Sequence, residues 1–485
     1  MRQVLSGLID IELRQRGEAT LTRQLYDELR KAILDGALKP GRRLPSSRNL
    51  ACQLKVSRNT VSGVIDQLAM EGYLDVAQGR RPIVAAAKPA LLGGGPASSG
   101  ARRKVPISRW AKGLEKAHWP AIDEGLPRPF QPGLADAREF PHELWARCLR
   151  RAARIAPSRG AQTLNRPSLQ AALLKYLVEH RGVRAEPRQV IVMPSAQAAI
   201  ALVARVVLDA GDLVWLESPG YGGARAAFEA ADARVSGVAL DQSGLSIGHR
   251  NDRPRLIFVT PSHQYPTGRL MPVSRRQELL AFAASVGAAI IEDDYDSEFH
   301  YDGRPVAALQ GLDETGSVFY VGTFAKSTFA DIRLGYVVVP ESHVGIFERA
   351  QRHSGHIAAA PLQEALAEFI EDGHFAAHIR KVTRLYGGRR DYLVRALTAA
   401  AGDRLSVTPP SGGMQLLAYL GSGIDDCDVT VRLNAAGVTV RPLSRQFVGK
   451  VVEHGLFLGF AAWNAGEIDA GAAVIGDVLR KRFAR

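Results

Sequence analysis

Leu21, Leu25, Leu29 and Ile33 recur at four-residue spacing through Leu21–Leu34, an amphipathic helix that Gly36 stops. The turn LKPGRRLPSS follows, and Ser46 or Ser47 is placed to cap a second short helix that buries Leu50 and Leu54. After Lys55-Val56, Ser57 caps a third helix whose inner face is Val61, Val64, Ile65 and Leu68. Tyr73–Val76, the turn Gln78-Gly79-Arg80 and Pro82–Ala85 then predict a two-stranded wing. Three helices and a wing make a winged helix-turn-helix over residues 1–85.

Periodicity disappears over residues 86–106, where AAKPALLGGGPASSGARRK has the composition of a flexible linker. From residue 107 short apolar runs alternate with longer helical patterns: QVIVM (189–193), DLVWLE (212–217), RLIFVT (255–260), GAAIIEDD (287–294) and SVFYVGT (317–323). Such alternation predicts a parallel sheet with covering helices, an α/β body over 107–340. Beyond about residue 340, helices mix with the strands SGGMQLLAYL and HGLFLGFAAW, a smaller α+β lobe over 341–485.

Charge separates the two parts further. Residues 1–120 carry 21 Lys+Arg against 10 Asp+Glu, and the remainder carries 41 against 39. A basic first module on a near-neutral body points to a polyanion partner confined to that module. Three widely spaced cysteines, Cys52, Cys148 and Cys427, argue against a disulfide framework or a cysteine-based zinc site, so no metal is expected. The opening MRQVLSGLIDIELRQ makes a poor signal peptide. The most apolar stretch, Val190–Leu208, is interrupted by Pro194, Gln197 and Arg205 and is no membrane span. A cytoplasmic protein without a membrane partner is the expectation.

Two sets of residues carry candidate chemistry. Ser57, Arg58, Asn59 and Thr60 open the third helix, the end that enters the major groove in a helix-turn-helix. Arg48 on the preceding helix can reach backbone or a guanine, and Arg80 and Arg81 sit at the wing tip for phosphate or minor-groove contact. The second set fits the needs of pyridoxal phosphate: an amine, a carboxylate for the pyridine nitrogen, a phosphate cup and a ring partner. Lys326 lies in a small-residue loop after a strand, and Asp293 ends the run AAIIE, at a strand terminus where open α/β sheets bind ligands. Tyr295 is placed for the ring hydroxyl. Ser195-Ala196-Gln197 opens a helix whose amides can hold an anion, with Arg333 as a charged clamp and Thr323 as a further hydroxyl. Tyr221 can stack on the ring or be a buried aromatic.

The segment Leu21–Val84, above all ILDGALKPGRRLPSSRNLACQLKVSRNTV, resembles the GntR-type winged helix. That resemblance implies DNA contacts at Arg48, Ser57, Arg58 and Thr60 and at the wing glycine Gly79. The stretches LDAGDLVWLESPGYGGARAAFEAA, TPSHQYPTGRLMP, IIEDDYDSEFHYDGRP and GTFAKSTFADIRLGY are similar to regulators of the MocR or GabR type, which fuse a GntR winged helix to a fold-type-I, aminotransferase-like domain. The likeness implies that Lys326 forms the internal aldimine of pyridoxal 5'-phosphate, that Asp293 meets the ring nitrogen and Tyr295 its hydroxyl. It implies that Arg333, Ala196 and Gln197 hold the phosphate, and that the protein is a head-to-tail, domain-swapped homodimer acting on a double-stranded DNA operator.

Several positions depart from the aminotransferase pattern. Phe457 in GLFLGFA stands where a substrate-gripping arginine is usual, which speaks against ordinary transamination. Tyr265 replaces an asparagine, so His263 or Gln264 is a candidate for ring contacts, and Arg441 and Arg445 are basic candidates for an anionic ligand. The expected function is a pyridoxal-phosphate-dependent transcription regulator sensing an amine, an amino acid or a B6-related effector. The alternative is a working aminotransferase with an accessory DNA-binding module.

Overall fold

The computed structural model describes residues 2–5, 9–13, 19–77, 80–86, 105–114, 125–154, 164–248, 252–303 and 306–483. The chain divides into two compact units, Met1–Pro106 and Ile107–Arg485.

In the first unit, a hairpin of β1 (Arg2–Leu5) and β2 (Ile9–Glu12) precedes α1 (Leu21–Leu34), α2 (Ser47–Leu54) and α3 (Arg58–Met70). The wing pairs β3 (Leu74–Asp75) with β4 (Ile83–Val84). Each helix begins on a hydroxyl cap: the Thr20, Ser46 and Ser57 side chains accept from the backbone amides of Arg23, Asn49 and Thr60. Each cap satisfies an amide that has no partner within the helix. The periodic residues of the three helices, Leu21 excepted, close one core with Leu38, Leu44, Leu74 and Val84. Ile11 from the hairpin joins that core, an addition that the four-residue alternation IDIE was too short to announce.

The second unit is built on an eight-stranded sheet. In chain order its strands are β5 (Val190–Met193), β6 (Leu213–Ser218), β7 (Arg234–Asp241), β8 (Gly244–Leu245), β9 (Leu256–Val259), β10 (Ala289–Asp294), β11 (Val318–Thr323) and β12 (Gly335–Val338). In space they run β5-β12-β11-β10-β9-β6-β7-β8. The sheet is mixed rather than wholly parallel. β12 runs antiparallel to both β11 and β5, and β8 antiparallel to β7. β12 returns directly from the Lys326 loop as a short reversal, which needs no helical crossover. The central strands are apolar on both faces, because separate helical layers cover each side.

The smaller lobe carries β13 (Leu405–Val407), β14 (Gln415–Leu420), β15 (Arg441–Pro442) and β16 (Gly455–Gly459), an antiparallel sheet ordered β13-β14-β16-β15. Alternation gives it two faces. Leu416, Leu456 and Leu458 enter the lobe's own core, whereas Leu417 and Phe457 turn to the other side, towards Tyr265. Among the described residues no helix is long and apolar enough to cross a membrane.

Candidate cofactor site and DNA-reading surface

The ends of β5, β6, β9, β10 and β11 lie at one edge of the sheet, and the loops leaving them surround a cavity of about 270 Å³. Nine residues singled out in the sequence for the cofactor line it: Ser195, Ala196, Gln197, Tyr221, Asp293, Tyr295, Thr323, Lys326 and Arg333. Tyr265 and Arg441 line it too.

Asp293 and Asp294 end β10, and alternation sends them opposite ways. Asp294 meets Arg181, whose Nε donates to Oδ2 at 2.8 Å, and also accepts from Tyr320, so its pKa is held low against the burial that would raise it. Asp293 turns to the cavity. Burial, aided by the charges of Asp294 and Asp296, pushes its pKa up to about 8. Its Oδ1 is buried with no hydrogen-bond partner among the described residues. A buried acceptor without a donor costs stability, so a ligand bearing an N–H is favoured there.

Lys326 follows β11 by three residues. Its Nζ donates to the backbone oxygen of Gly133 at 2.5 Å. Gly133 has φ +82°, and a Cβ there would lie 2.7 Å from the Lys326 Nζ. The left-handed backbone favours glycine here, and a side chain would displace the lysine amine. Burial lowers the Lys326 pKa, while Asp296 and Asp293 oppose the shift. A less protonated amine is a better nucleophile.

The helix Ala196–Val207 starts at the end of β5 with Ser195 as cap, its side chain accepting from the Ala198 amide at 3.1 Å. A Cβ on Gly335 would stand 2.7 Å from the Ala196 nitrogen, so a glycine in β12 lets the helix start come close to the sheet. Gln197 is already engaged: Nε2 donates to Gly223 O at 2.8 Å, and Oε1 accepts from Tyr221 Oη at 3.3 Å. Arg333 adopts left-handed backbone, φ +50°, and stands exposed at the cavity rim.

Tyr265 lies edge-on to Tyr221, Tyr295 and Phe457, with centroid separations of 5.4, 6.1 and 5.0 Å. Burial pushes its pKa up to about 12 and raises that of Tyr295 well above the usual phenol range, so both hydroxyls stay protonated. Gln415, from β14, also lines the cavity and is hydrogen-bonded to Tyr295.

His263 is the sequence candidate that the fold takes elsewhere. It does not line the cavity. Its Nδ1 lies 2.8 Å from Asp296 Oδ1, and the other Asp296 oxygen accepts the Met414 amide at 3.1 Å. A Cβ on Gly412 would sit 2.2 Å from His263 Nε2, so the pair seats the lobe's SGGM loop on the large sheet. Gln264 likewise spends its amide nitrogen on Glu217 and Pro219, at the end of β6, and on the adjacent Tyr265. Gly133 and Gln415 were missed. They come from segments almost two hundred residues before and ninety after Lys326, and no local pattern links them to it.

In the first unit Arg48, Ser57, Arg58 and Asn59 are exposed, Thr60 is half-buried, and Arg80 and Arg81 are exposed at the wing. Ser57 Oγ accepts from the Thr60 amide at 3.0 Å and lies 2.8 Å from Thr60 Oγ1, so these hydroxyls hold the start of α3. Arg58 and Asn59 are the residues that project from that start. Gly79 lies outside the described residues.

Residues 21–84 match the family described as bacterial regulatory proteins, gntR family, and residues 137–445 match aminotransferase class I and II. A probable rhizopine catabolism regulatory protein MocR of Rhizobium meliloti is 39% identical, over 92% of this chain and 90% of that one. An HTH-type pyridoxine biosynthesis transcriptional regulator PdxR of Corynebacterium glutamicum is 29% identical over 97% of this chain and 98% of its own. A Pyrococcus horikoshii kynurenine aminotransferase shares the fold of the body, with TM-score 0.69 and 23% identity over 79% of this chain and 96% of that one. The aminotransferase class I and II fold is a pyridoxal-phosphate-dependent one, and a GntR helix-turn-helix implies binding to DNA. The chain belongs to the MocR-type transcription regulators, in which a gntR-family winged helix is joined to an aminotransferase class I and II body.

Proposed function

We propose that this regulator holds pyridoxal 5'-phosphate in the cavity around Lys326 and uses it to sense an amine or amino acid. The observation that carries the reading is the buried Asp293 carboxyl, pushed up to about 8 and with Oδ1 unpartnered among the described residues. A protonated pyridine nitrogen supplies the donor and the positive charge that this acid lacks. The rest of the lining fits the same group. The Lys326 amine is the attachment point for the cofactor's aldehyde. The Ser195–Gln197 helix start and Arg333 suit a phosphate, since helix N-terminal amides and a guanidinium both favour a dianion. Tyr295, Tyr265 and Thr323 offer hydroxyls, and Tyr221 offers a ring face.

When bound, the cofactor supplies a carbon reactive towards amines, and the chain's residues decide which amine reaches it. Burial disfavours the ammonium form of Lys326. Asp293 holds a proton at the ring nitrogen. The neighbouring aromatic side chains keep water from the ring. With Phe457 at the position of the usual carboxylate arginine, the site is suited to recognition rather than to transamination.

In the first unit, Arg58 and Asn59 read base edges in a double-stranded operator, and Arg48, Arg80 and Arg81 hold phosphates. Ser57 and Thr60 set the angle of α3. The MocR resemblance supports a head-to-tail, domain-swapped homodimer in the bacterial cytoplasm. An effector changes DNA binding to the extent that it prefers one of the dimer's two conformations.

The test uses full-length protein supplied with pyridoxal phosphate. Wild type shows the long-wavelength absorption band of covalently held cofactor, and Lys326→Ala lacks it while retaining operator affinity. A band that survives in Lys326→Ala contradicts the assignment.

A further inference from the structure

The cofactor reading gives most of the cavity lining a task. Lys326 takes the aldehyde, Asp293 and Tyr295 meet the ring, Tyr221 offers its face, and the Ser195–Gln197 helix start with Arg333 suits the phosphate. The lining that remains, besides Arg441, is Pro132, Gly133, Gln415 and the ring of Tyr265. An amine approaching Lys326 has to fit among these, and the space is small. The whole cavity measures about 270 Å³, less than the ~300–1,000 Å³ of an ordinary small-molecule site, and it has to hold cofactor and effector together.

These walls have little room to retreat. Pro132 and Gly133 are packed without slack: a Cβ on Gly459 of β16 would stand 2.5 Å from Gln131 O and 3.0 Å from Pro132 Cα, and one on Gly133 would stand 2.7 Å from Lys326 Nζ. Gln415 is engaged with Tyr295. Tyr265, standing where an asparagine is usual, is a tongue from the large sheet set into a socket of the lobe. Its buried neighbours in that cluster, Leu417, Leu443, Phe447 and Phe457, all come from the lobe. Edge-on contacts with Tyr221, Tyr295 and Phe457 fix the plane of its ring. The backbone is tied as well. The Tyr265 amide donates to Thr260 Oγ1 at 2.9 Å, and its carbonyl oxygen accepts from Gln264 Nε2 at 2.5 Å. A ring enclosed in this way does not swing aside for a ligand, because moving it opens a void in a close-packed core.

We propose that Tyr265 is a specificity-determining residue, a wall that limits the effector to a short, slender amino compound and turns bulky ones away. The inference rests on the proposed cofactor site. The cofactor reading uses the Tyr265 hydroxyl, and the size limit comes from its ring. Leu417 and Phe457 pack on that ring from the lobe, so the volume it fills is bounded by hydrocarbon. Truncating Tyr265 joins this apolar socket to the cavity. A bulky apolar amine then gains, by covering Leu417 and Phe457, the binding that the wall denies it.

The experiment compares ethylamine with 2-phenylethylamine, which differ by a terminal phenyl group. Dissociation constants are read from the change in the visible band of the loaded, full-length protein and independently by calorimetry, and the ratio of the two is taken within each protein. That ratio is insensitive to how well a variant holds the cofactor. Wild type is expected to bind ethylamine at least about tenfold more tightly. Tyr265→Phe keeps the ring and keeps the ratio, whereas Tyr265→Ala reverses it through a gain for 2-phenylethylamine. Should Tyr265→Ala not fold or load, Tyr265→Leu takes its place, with the wild-type preference lost. A wild type that binds 2-phenylethylamine as tightly as ethylamine overturns the proposal, as does a wild-type ratio in the alanine or leucine variant. A ratio lost in Tyr265→Phe overturns it too, since the hydroxyl and not the ring would then be selecting. A loaded wild type that binds neither amine sinks the wall and leaves the cofactor site standing. A wild type that never retains the cofactor fails before any amine is added, and it overturns the underlying site together with the wall.

Discussion

The two units place their chemistry on opposite sides of their cores. In the winged helix the candidate contacts Arg48, Arg58 and Asn59 stand in solvent, while the inner face Val61, Val64, Ile65 and Leu68 is sealed in. In the aminotransferase-like body most candidate groups are drawn inside: Asp293 is buried with a pKa near 8, Tyr265 is buried and raised to about 12, and Lys326 is half-buried with its ammonium disfavoured. A surface site can be altered without touching stability. A site carved from the core is paid for by the fold, so changing it changes stability as well.

The largest effect that should separate the units is a core truncation in the winged helix. Leu68 is fully buried, and Leu68→Ala is expected to remove about 2–5 kcal/mol from that unit by lost burial and a residual cavity. Differential scanning calorimetry of the full chain should show an early transition for the head, with the transition of the body and its visible cofactor band unmoved. A joint shift of both would show that the units do not unfold separately.

Next in size, and of opposite sign, is Asp293→Asn. An acid whose folded pKa is about 8 against an ordinary 3.8 binds more protons folded than unfolded between those values. Stability contributed by that group therefore falls as pH rises from about 4 to about 8. Asparagine has no such penalty. The cofactor-free mutant should melt above cofactor-free wild type by several degrees, with the gap widening across that window, while its hold on the cofactor weakens. A gap that is constant with pH would mean that Asp293 is ionised throughout.

Smaller effects belong to the surface. Arg58→Ala should cost about 1–3 kcal/mol of specific operator affinity if it reads a base, with no change in melting temperature. Ser57→Ala removes the side chain that caps α3 and should cost about 1 kcal/mol of head stability. An unchanged operator affinity in the first case would mean that the start of α3 is not in the groove.

How far the sequence announced each unit follows from the same contrast. Hydroxyl caps and a four-residue repeat are local signals, so all three helices of the head and the wing were legible from neighbouring residues. The β1–β2 hairpin was not, because RQVL in β1 does not alternate and the alternation of IDIE in β2 lasts only four residues. In the body, the residues that follow strand ends were legible, since a lysine after SVFYVGT and an acid after AAIIE mark the edge where ligands bind. What was hidden is contributed by closure of the chain. Gly133 reaches Lys326, Gln415 reaches Tyr295, and β12 inserts between β5 and β11 as an antiparallel strand. His263 shows the limit in reverse. It lies two residues before Tyr265 and is turned by Asp296 to the lobe's loop instead of the cavity.

The most direct test of the central claim is reductive trapping. Full-length protein loaded with pyridoxal phosphate is treated with borohydride, digested, and its peptides are weighed. One reduced pyridoxyl-phosphate adduct is expected, on the GTFAKSTFADIR segment at Lys326. An adduct on another lysine, or none in protein that still binds its operator, would contradict it.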